Sequence, residues 1–247
     1  MKVIDIHSHF NLGLEHDMFN QSNHKHNRTF EFQKYNYDTN RLYAGGFSPF
    51  SSVFQTECIF KHNQVLNEYT KKYDWLYQWV VLDPRQEDLY AQVRELIKDE
   101  KVLGIKIHSP NHKYDIEEYG DKIFSFANEL KCFVMMHNDK IDKMPHFANK
   151  YPDMNLIIAH LGRDDAFEEA ILSAKHGNIY TDTSGSASSM NNVIENAVKK
   201  VGSEKIFFGM DTYAFGFQYG RIKYANISEE DKENIFYKNA LKHFNIK

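Results

Sequence analysis

From the middle of the chain onward, short apolar runs return at the interval of one strand–helix unit, and this periodicity narrows the fold more than any other feature. The runs 104–108, 132–137, 155–160, 178–183 and 205–211 start 28, 23, 23 and 27 residues apart. Two further runs, 2–7 and 76–82, precede them. One amphipathic stretch lies between most neighbours, over 86–99, 119–130, 143–150, 166–176 and 191–201. Strands that alternate with helices in this way call for a parallel sheet. The runs read as continuous apolar segments (FVMM, IIA, IFFG) rather than in/out alternation, as strands covered on both faces do.

Seven strands are visible, and a closed barrel needs an eighth between residues 9 and 75, where 42–47 and 52–55 are both candidates. The polar and aromatic stretch 11–40, with His16, His24 and His26, reads as a long loop inside an insertion region of about 11–50. Following strand 1, such a loop belongs over the C-terminal mouth of a barrel, where active sites are built. A chain of 247 residues is the length of one α/β barrel, and no linker marks a second domain, so 1–247 is read as one. The sequence Ser228-Glu229-Glu230-Asp231 looks like a capping box opening a last helix, with Ile235, Phe236, Ala240, Leu241 and Phe244 at helical spacing.

Composition excludes several function classes. With 30 basic and 34 acidic side chains and no basic stripe, neither nucleic acid nor an acidic membrane surface is an expected partner. No run approaches the ~18 apolar residues of a spanning helix, and MKVIDIHSHF is no signal peptide. Two cysteines, Cys58 and Cys132, make no disulfide framework, so a reducing cytoplasm is the expected home.

The chemistry lies at the strand ends. In Asp5-Ile6-His7-Ser8-His9, residues two apart on a strand face the same way, so His7 and His9 present two imidazoles suited to a divalent metal. Other runs end alike: on His108, on His137, on His160 and on Asp211. In a barrel those ends converge on one mouth. A second HxH, His24 and His26, lies in a polar stretch without strand pattern and reads as solvated.

IDIHSHF, GIKIHSP, FVMMHN, NLIIAHLG and FFGMD, in this order, resemble motifs of the amidohydrolase superfamily, and specifically of its amidohydrolase-related branch, which includes small decarboxylases and lactonases. The resemblance spans most of the chain and is weakest over 11–75. It implies a distorted (β/α)₈ TIM barrel, α/β in class, with one divalent ion, Zn²⁺ by expectation, held by His7, His9, His137 and Asp211. His160 is then a near neighbour that polarises substrate, shuttles a proton or ligates a second metal, and Asp211 a general base towards metal-activated water. The Tyr-Pro pair common after the strand-8 aspartate is replaced here by Tyr213-Ala214, which alters the substrate rim. Several branches carry a carbamylated lysine on strand 4 bridging two metals. Lys106 stands at that place beside His108 on the same face, but the favoured reading keeps it an ammonium that anchors a substrate carboxylate or pairs with an aspartate, with His108 as a weaker substrate contact and one ion rather than two.

Arg163, just after strand 6, and more weakly Arg221 are candidate anchors for a substrate carboxylate. Asp182 on strand 7 is placed to orient a ligand histidine or to cap a turn. The expected activity is hydrolysis of a small-molecule amide, ester or lactone. The alternative is non-oxidative decarboxylation of a small unsaturated or aromatic acid at the same metal, and a non-enzymatic binder ranks last. Nucleases of the TatD type share the HxH, but their strand-4 glutamate has no counterpart in GIKIH. A small molecule, carboxylated in the alternative, is the expected partner, and a homo-oligomer is compatible with the sequence.

Overall fold

Eight parallel strands pair in chain order, each followed by helix. The computed structural model describes residues 1–14, 29–39, 41–137 and 140–247. The first half runs β1 (Ile4–Phe10), α1 (Phe30–Asp38), β2 (Ala44–Pro49), α2 (Ile59–Lys72), β3 (Leu76–Val81), α3 (Glu87–Leu96) and β4 (Val102–His108). The second runs α4 (Ser109–His112), α5 (Ile116–Leu130), β5 (Phe133–His137), α6 (Met144–Lys150), β6 (Asn155–Ile158), α7 (Ala166–Ser173), β7 (Ile179–Asp182), α8 (Val193–Val201), β8 (Ile206–Phe207) and α9 (Phe215–Lys223). At the C-terminus α10 (Glu229–Glu233) and α11 (Asn239–His243) are joined by a π-helical turn. The sheet closes on itself where Ile6 N–H donates to Phe208 O, Met210 N–H to His7 O, and Ser8 pairs with Asp211. This is the (β/α)₈ barrel that the family resemblance implied, built on the parallel sheet that the strand spacing called for.

Alternation along each strand sorts the side chains. On β5, Val134 and Met136 pack outward under the helices, while Phe133 and Met135 fill the barrel and His137 follows them on the inner face. On β7 the same face carries Tyr180 and then Asp182. The inner core at the strand starts is closed by the C-terminal segment. Phe244 packs on Phe133 at 4.7 Å and on Trp79 at 5.8 Å between ring centroids, and burial of such a ring is worth about 1.5–3 kcal/mol. Gly104 leaves room for Trp79: a Cβ there would meet Phe133 O at 2.2 Å and the indole at 2.9 Å.

The structure corrects the sequence reading in places. Strand 2 occupies 44–49, overlapping the first candidate, whereas 51–53 is a 3₁₀ turn. The stretch 11–40 is not loop throughout, because Phe30–Asp38 is helical with Thr29 as its cap; His16, His24 and His26 lie outside the described residues. Strand β1 runs on to Phe10 instead of ending at His7. Strands β6 and β8 stop at Ile158 and Phe207, before the residues expected to end them. His160 and Asp211 leave the ladder in the left-handed region, with φ of 71° and 58°, so the apolar run outlasts the pairing. The capping box is present, with Ser228 and Asp231 bonded reciprocally. Cys58 and Cys132 are free thiols, and among the described residues no helix is long and apolar enough to cross a membrane.

Candidate metal centre

The C-terminal ends of the strands surround a cavity of about 360 Å³. One side is polar: His7 and His9 from β1, Lys106 from β4, His137 from β5, His160 after β6 and Asp211 after β8. Phe50, Val53, Phe54 and Pro110 supply the cavity's apolar lining, beside Asn111, Thr212 and Tyr213. All the strand-end residues singled out from the sequence therefore meet at one mouth, His108 included.

His7 and His9 both reach the cavity because β1 is irregular. Its register against β2 shifts between Asp5 and Ser8, so Ile4 and Ile6 fill the barrel core while His7 and His9 also turn inward. Bulges re-aim side chains beside active sites in this way. Asp5 holds the bend: its carboxyl accepts from His7 N–H and Met210 N–H, each at 3.0 Å, and from the Ser8 hydroxyl. Burial pushes this carboxyl up to about 7.

The donor atoms of His7, His9 and Asp211 lie within 4.8 Å of one another. His9 Nε2 is 3.5 Å from Asp211 Oδ1, and His9 Nδ1 meets Ser48 Oγ at 2.7 Å. His137 stands outside that trio: its Nδ1 is 3.0 Å from His160 Nε2, and its ring stacks on His108 at 4.2 Å. A second acid–histidine group, His7, His160 and Asp182, is knit by internal hydrogen bonds. Asp182 Oδ2 accepts from His7 Nδ1 at 2.8 Å, and Ser184 Oγ lies 2.9 Å from the Nδ1 of both His7 and His160. Asp182 thus orients a candidate ligand, the first of the two roles open to it.

Electrostatics keep the imidazoles neutral. Burial, reinforced by Lys106, holds His7 and His9 well below the usual histidine range. Burial first, then Arg163 and Lys106, pushes His137 down to about 3, and burial takes His160 to about 3 against the pull of Asp182. His108 is likewise held low, chiefly by burial. Lys106, 1% exposed, is pushed down to about 8 by burial, with Asp182 and Asp211 opposing. Neutral imidazoles and a carboxylate converging on one point are what a divalent ion requires. The donor set therefore fits a metal, with His7, His9 and Asp211 able to share one ion and His137 beside them.

The arginines fare differently. Arg163 is close enough to depress His137 but does not line the cavity. Arg221 is tied to Glu195 at 2.9 Å and to Ser188 O at 3.0 Å, so it is structural. Sequence reasoning missed Ser48 and Ser184. Ser184 stands two residues after Asp182, just past the end of β7, where strand alternation no longer applies; Ser48 was hidden with its strand.

A family profile described as amidohydrolase matches residues 4–246. No curated protein matches the chain in sequence. Among solved structures, 2,6-dihydroxybenzoate decarboxylase from Rhizobium is 14% identical, with 99% of each chain covered and a TM-score of 0.74. 5-Carboxyvanillate decarboxylase from Sphingomonas paucimobilis is 10% identical over 100% of this chain and 99% of that one, at 0.78. The 5-carboxyvanillate decarboxylase of Novosphingobium aromaticivorans, solved with manganese and 4-hydroxy-3-methoxy-5-nitrobenzoic acid, is 16% identical over 99% and 96%, at 0.74. These likenesses establish the fold.

Proposed function

The chain belongs to the amidohydrolase family, and from that premise we propose that it is a divalent-metal-dependent decarboxylase of a small aromatic or unsaturated carboxylic acid. One observation carries the reading, the make-up of the cavity. Among its described lining residues, one buried cation, Lys106, and one carboxyl, Asp211, share the cavity with the apolar side chains of Phe50, Val53 and Phe54. A planar ring suits the two aromatic side chains, and the substrate carboxylate is drawn to the buried Lys106 Nζ. Exchange of C–CO₂⁻ for C–H needs a proton delivered to carbon, and Asp211 is the lining carboxyl that can carry it. Its side chain keeps 22% of its surface exposed, so the proton can be replenished from solvent. When held by His7, His9, His137 and Asp211, a divalent ion supplies Lewis-acid charge for the substrate oxygens. The donor set suits Zn²⁺, our first expectation, and Mn²⁺ alike; one ion per chain is the reading. The decarboxylases among the similar folds, one of them with manganese, support decarboxylation over the hydrolysis first expected from the sequence.

Hydrolysis of an amide, ester or lactone keeps one observation in its favour. Asp211 sits beside His9 within the donor set, where a carboxylate can take a proton from water as general base. The test loads the protein with Zn²⁺ or Mn²⁺ and offers hydroxybenzoates labelled with ¹³C at the carboxyl, beside amides, esters and lactones in H₂¹⁸O. Labelled CO₂ is expected, with Asp211→Asn slowing its release by about 10²–10⁴-fold. Uptake of ¹⁸O without CO₂ would overturn the reading.

A further inference from the structure

Hydrogen bonds around Asp182 permit only one placement of the protons on three of the site's histidines. A carboxylate oxygen accepts and never donates. His7 Nδ1, 2.8 Å from Asp182 Oδ2, therefore carries a hydrogen, which leaves His7 Nε2 bare. Lys106 Nζ, 2.8 Å from that atom, agrees, because an ammonium only donates. The Ser184 hydroxyl has one hydrogen and touches Asp182 Oδ1, so that hydrogen goes to the carboxylate. Ser184 Oγ can then only accept from His160 at 2.9 Å, which puts the hydrogen of the neutral ring on Nδ1 and bares its Nε2. His137 Nδ1, 3.0 Å from that bare atom, must be the donor there, and His137 Nε2 is left bare in turn.

We propose that Asp182 and Ser184 are positioning residues whose hydrogen bonds fix the tautomers of His7, His160 and, through His160, His137, leaving every Nε2 as a lone pair. Asp182 acts on two strands at once. It reaches His7 directly, and it reaches His137, which it does not touch, through Ser184 and His160. The backbone is built around the arrangement. Asp182 Oδ1 also accepts from Ser184 N–H at 2.8 Å and from His160 N–H at 3.3 Å, holding His160 in its left-handed conformation. Gly185, at φ 78°, lies against the same ring: a Cβ there would stand 2.8 Å from His160 Nδ1. Imidazole binds a metal through the lone pair of whichever ring nitrogen is bare, and the hydrogen bond made by the other nitrogen decides which one that is; here it is Nε2.

The consequence for metal rests on the function proposed above; the tautomer pattern does not, so the two are tested separately. Long-range ¹H–¹⁵N spectra of the metal-free protein, labelled at histidine, report which ring nitrogen bears the proton. We expect His7, His137 and His160 all in the Nδ1–H form, against the Nε2–H form commoner in water. Ser184→Ala should release His160 and His137 from that form and leave His7 in it, a change that a purely structural role for Ser184 would not produce at His137. In the same variant Mn²⁺ affinity should fall about 10–100-fold. An Nε2–H form at His137 or His160 in the wild type overturns the proposal, as does a Ser184→Ala spectrum with both unchanged. Should that variant not fold, the wild-type spectrum decides alone. An altered spectrum with unchanged Mn²⁺ affinity would uphold the relay and count against His137 as a ligand.

Discussion

At His7 Nε2 two cations have a claim on one lone pair. Lys106 Nζ donates to it at 2.8 Å, and a divalent ion bound through His7 needs the same electrons. An ammonium that close also repels the ion in a buried site, where the effective dielectric constant is far below that of water. Lys106→Met should therefore raise Mn²⁺ affinity about tenfold, a difference of roughly 1.4 kcal/mol, while weakening substrate binding through loss of the anchor. Were Lys106 a carbamate bridging two ions, the same change would abolish metal binding, so calorimetric titration separates the two states. Gly185 sets a second limit at this scale. Alanine there places a Cβ in the left-handed region against the His160 ring, and we expect a loss of about 1–2 kcal/mol, read as a lower thermal midpoint.

Among the elements, β1 does most to shape the site, and its shape was the part least visible in the sequence. The HxH spacing correctly put His7 and His9 on one face, but simple alternation puts Ile6 on the other. The shift between Asp5 and Ser8 escapes a count of periods because its cause is a tertiary contact, the Asp5 carboxyl reaching across to Met210 N–H. Asp5→Ala would strand the His7 N–H and the Ser8 hydroxyl, at about 1–3 kcal/mol each, and leave Met210 N–H only its bond to His7 O. A fall in Tm on the order of 10 °C follows, with loss of metal because both histidines lose their aim. Asp5→Asn keeps an oxygen for the two backbone donors and should fall by less than half as much; equal falls would show that the carboxyl does not hold the bend. Helix α2 was illegible for a different reason. Its buried face includes His62, Asn63, Asn67 and Thr70 beside Ile59 and Leu66, with Asn63 bonded to the backbone of Val81, so hydrophobic spacing gave no signal.

For the whole molecule, what could be read in advance was what period and interval encode: seven of the eight strands with most of the helices between them, and polar ends that a barrel must gather at one mouth. The ends of β6 and β8 could not be read, since His160 and Asp211 turn out of the ladder through tertiary hydrogen bonds rather than at any local break. The gathering has a cost that shows in the pH dependence of stability. His7, His9, His108, His112, His137 and His160 are all held below the ordinary histidine value, mainly by burial. Below about pH 6.5 the unfolded chain protonates these rings while the folded one does not, so folding stability is lost as the pH falls through that point. Asp5 works the other way: raised to about 7, it keeps its proton in the fold and adds stability as the pH drops from 7 towards 3.8. Each group contributes at most about 1.4 kcal/mol per pH unit, so six histidines outweigh one aspartate. The metal-free protein should accordingly melt at least about 5 °C lower at pH 5 than at pH 7 in calorimetry at constant ionic strength. A midpoint that held steady or rose on acidification would mean that these rings are charged in the fold, which the Lys106 contact at His7 Nε2 could not accommodate.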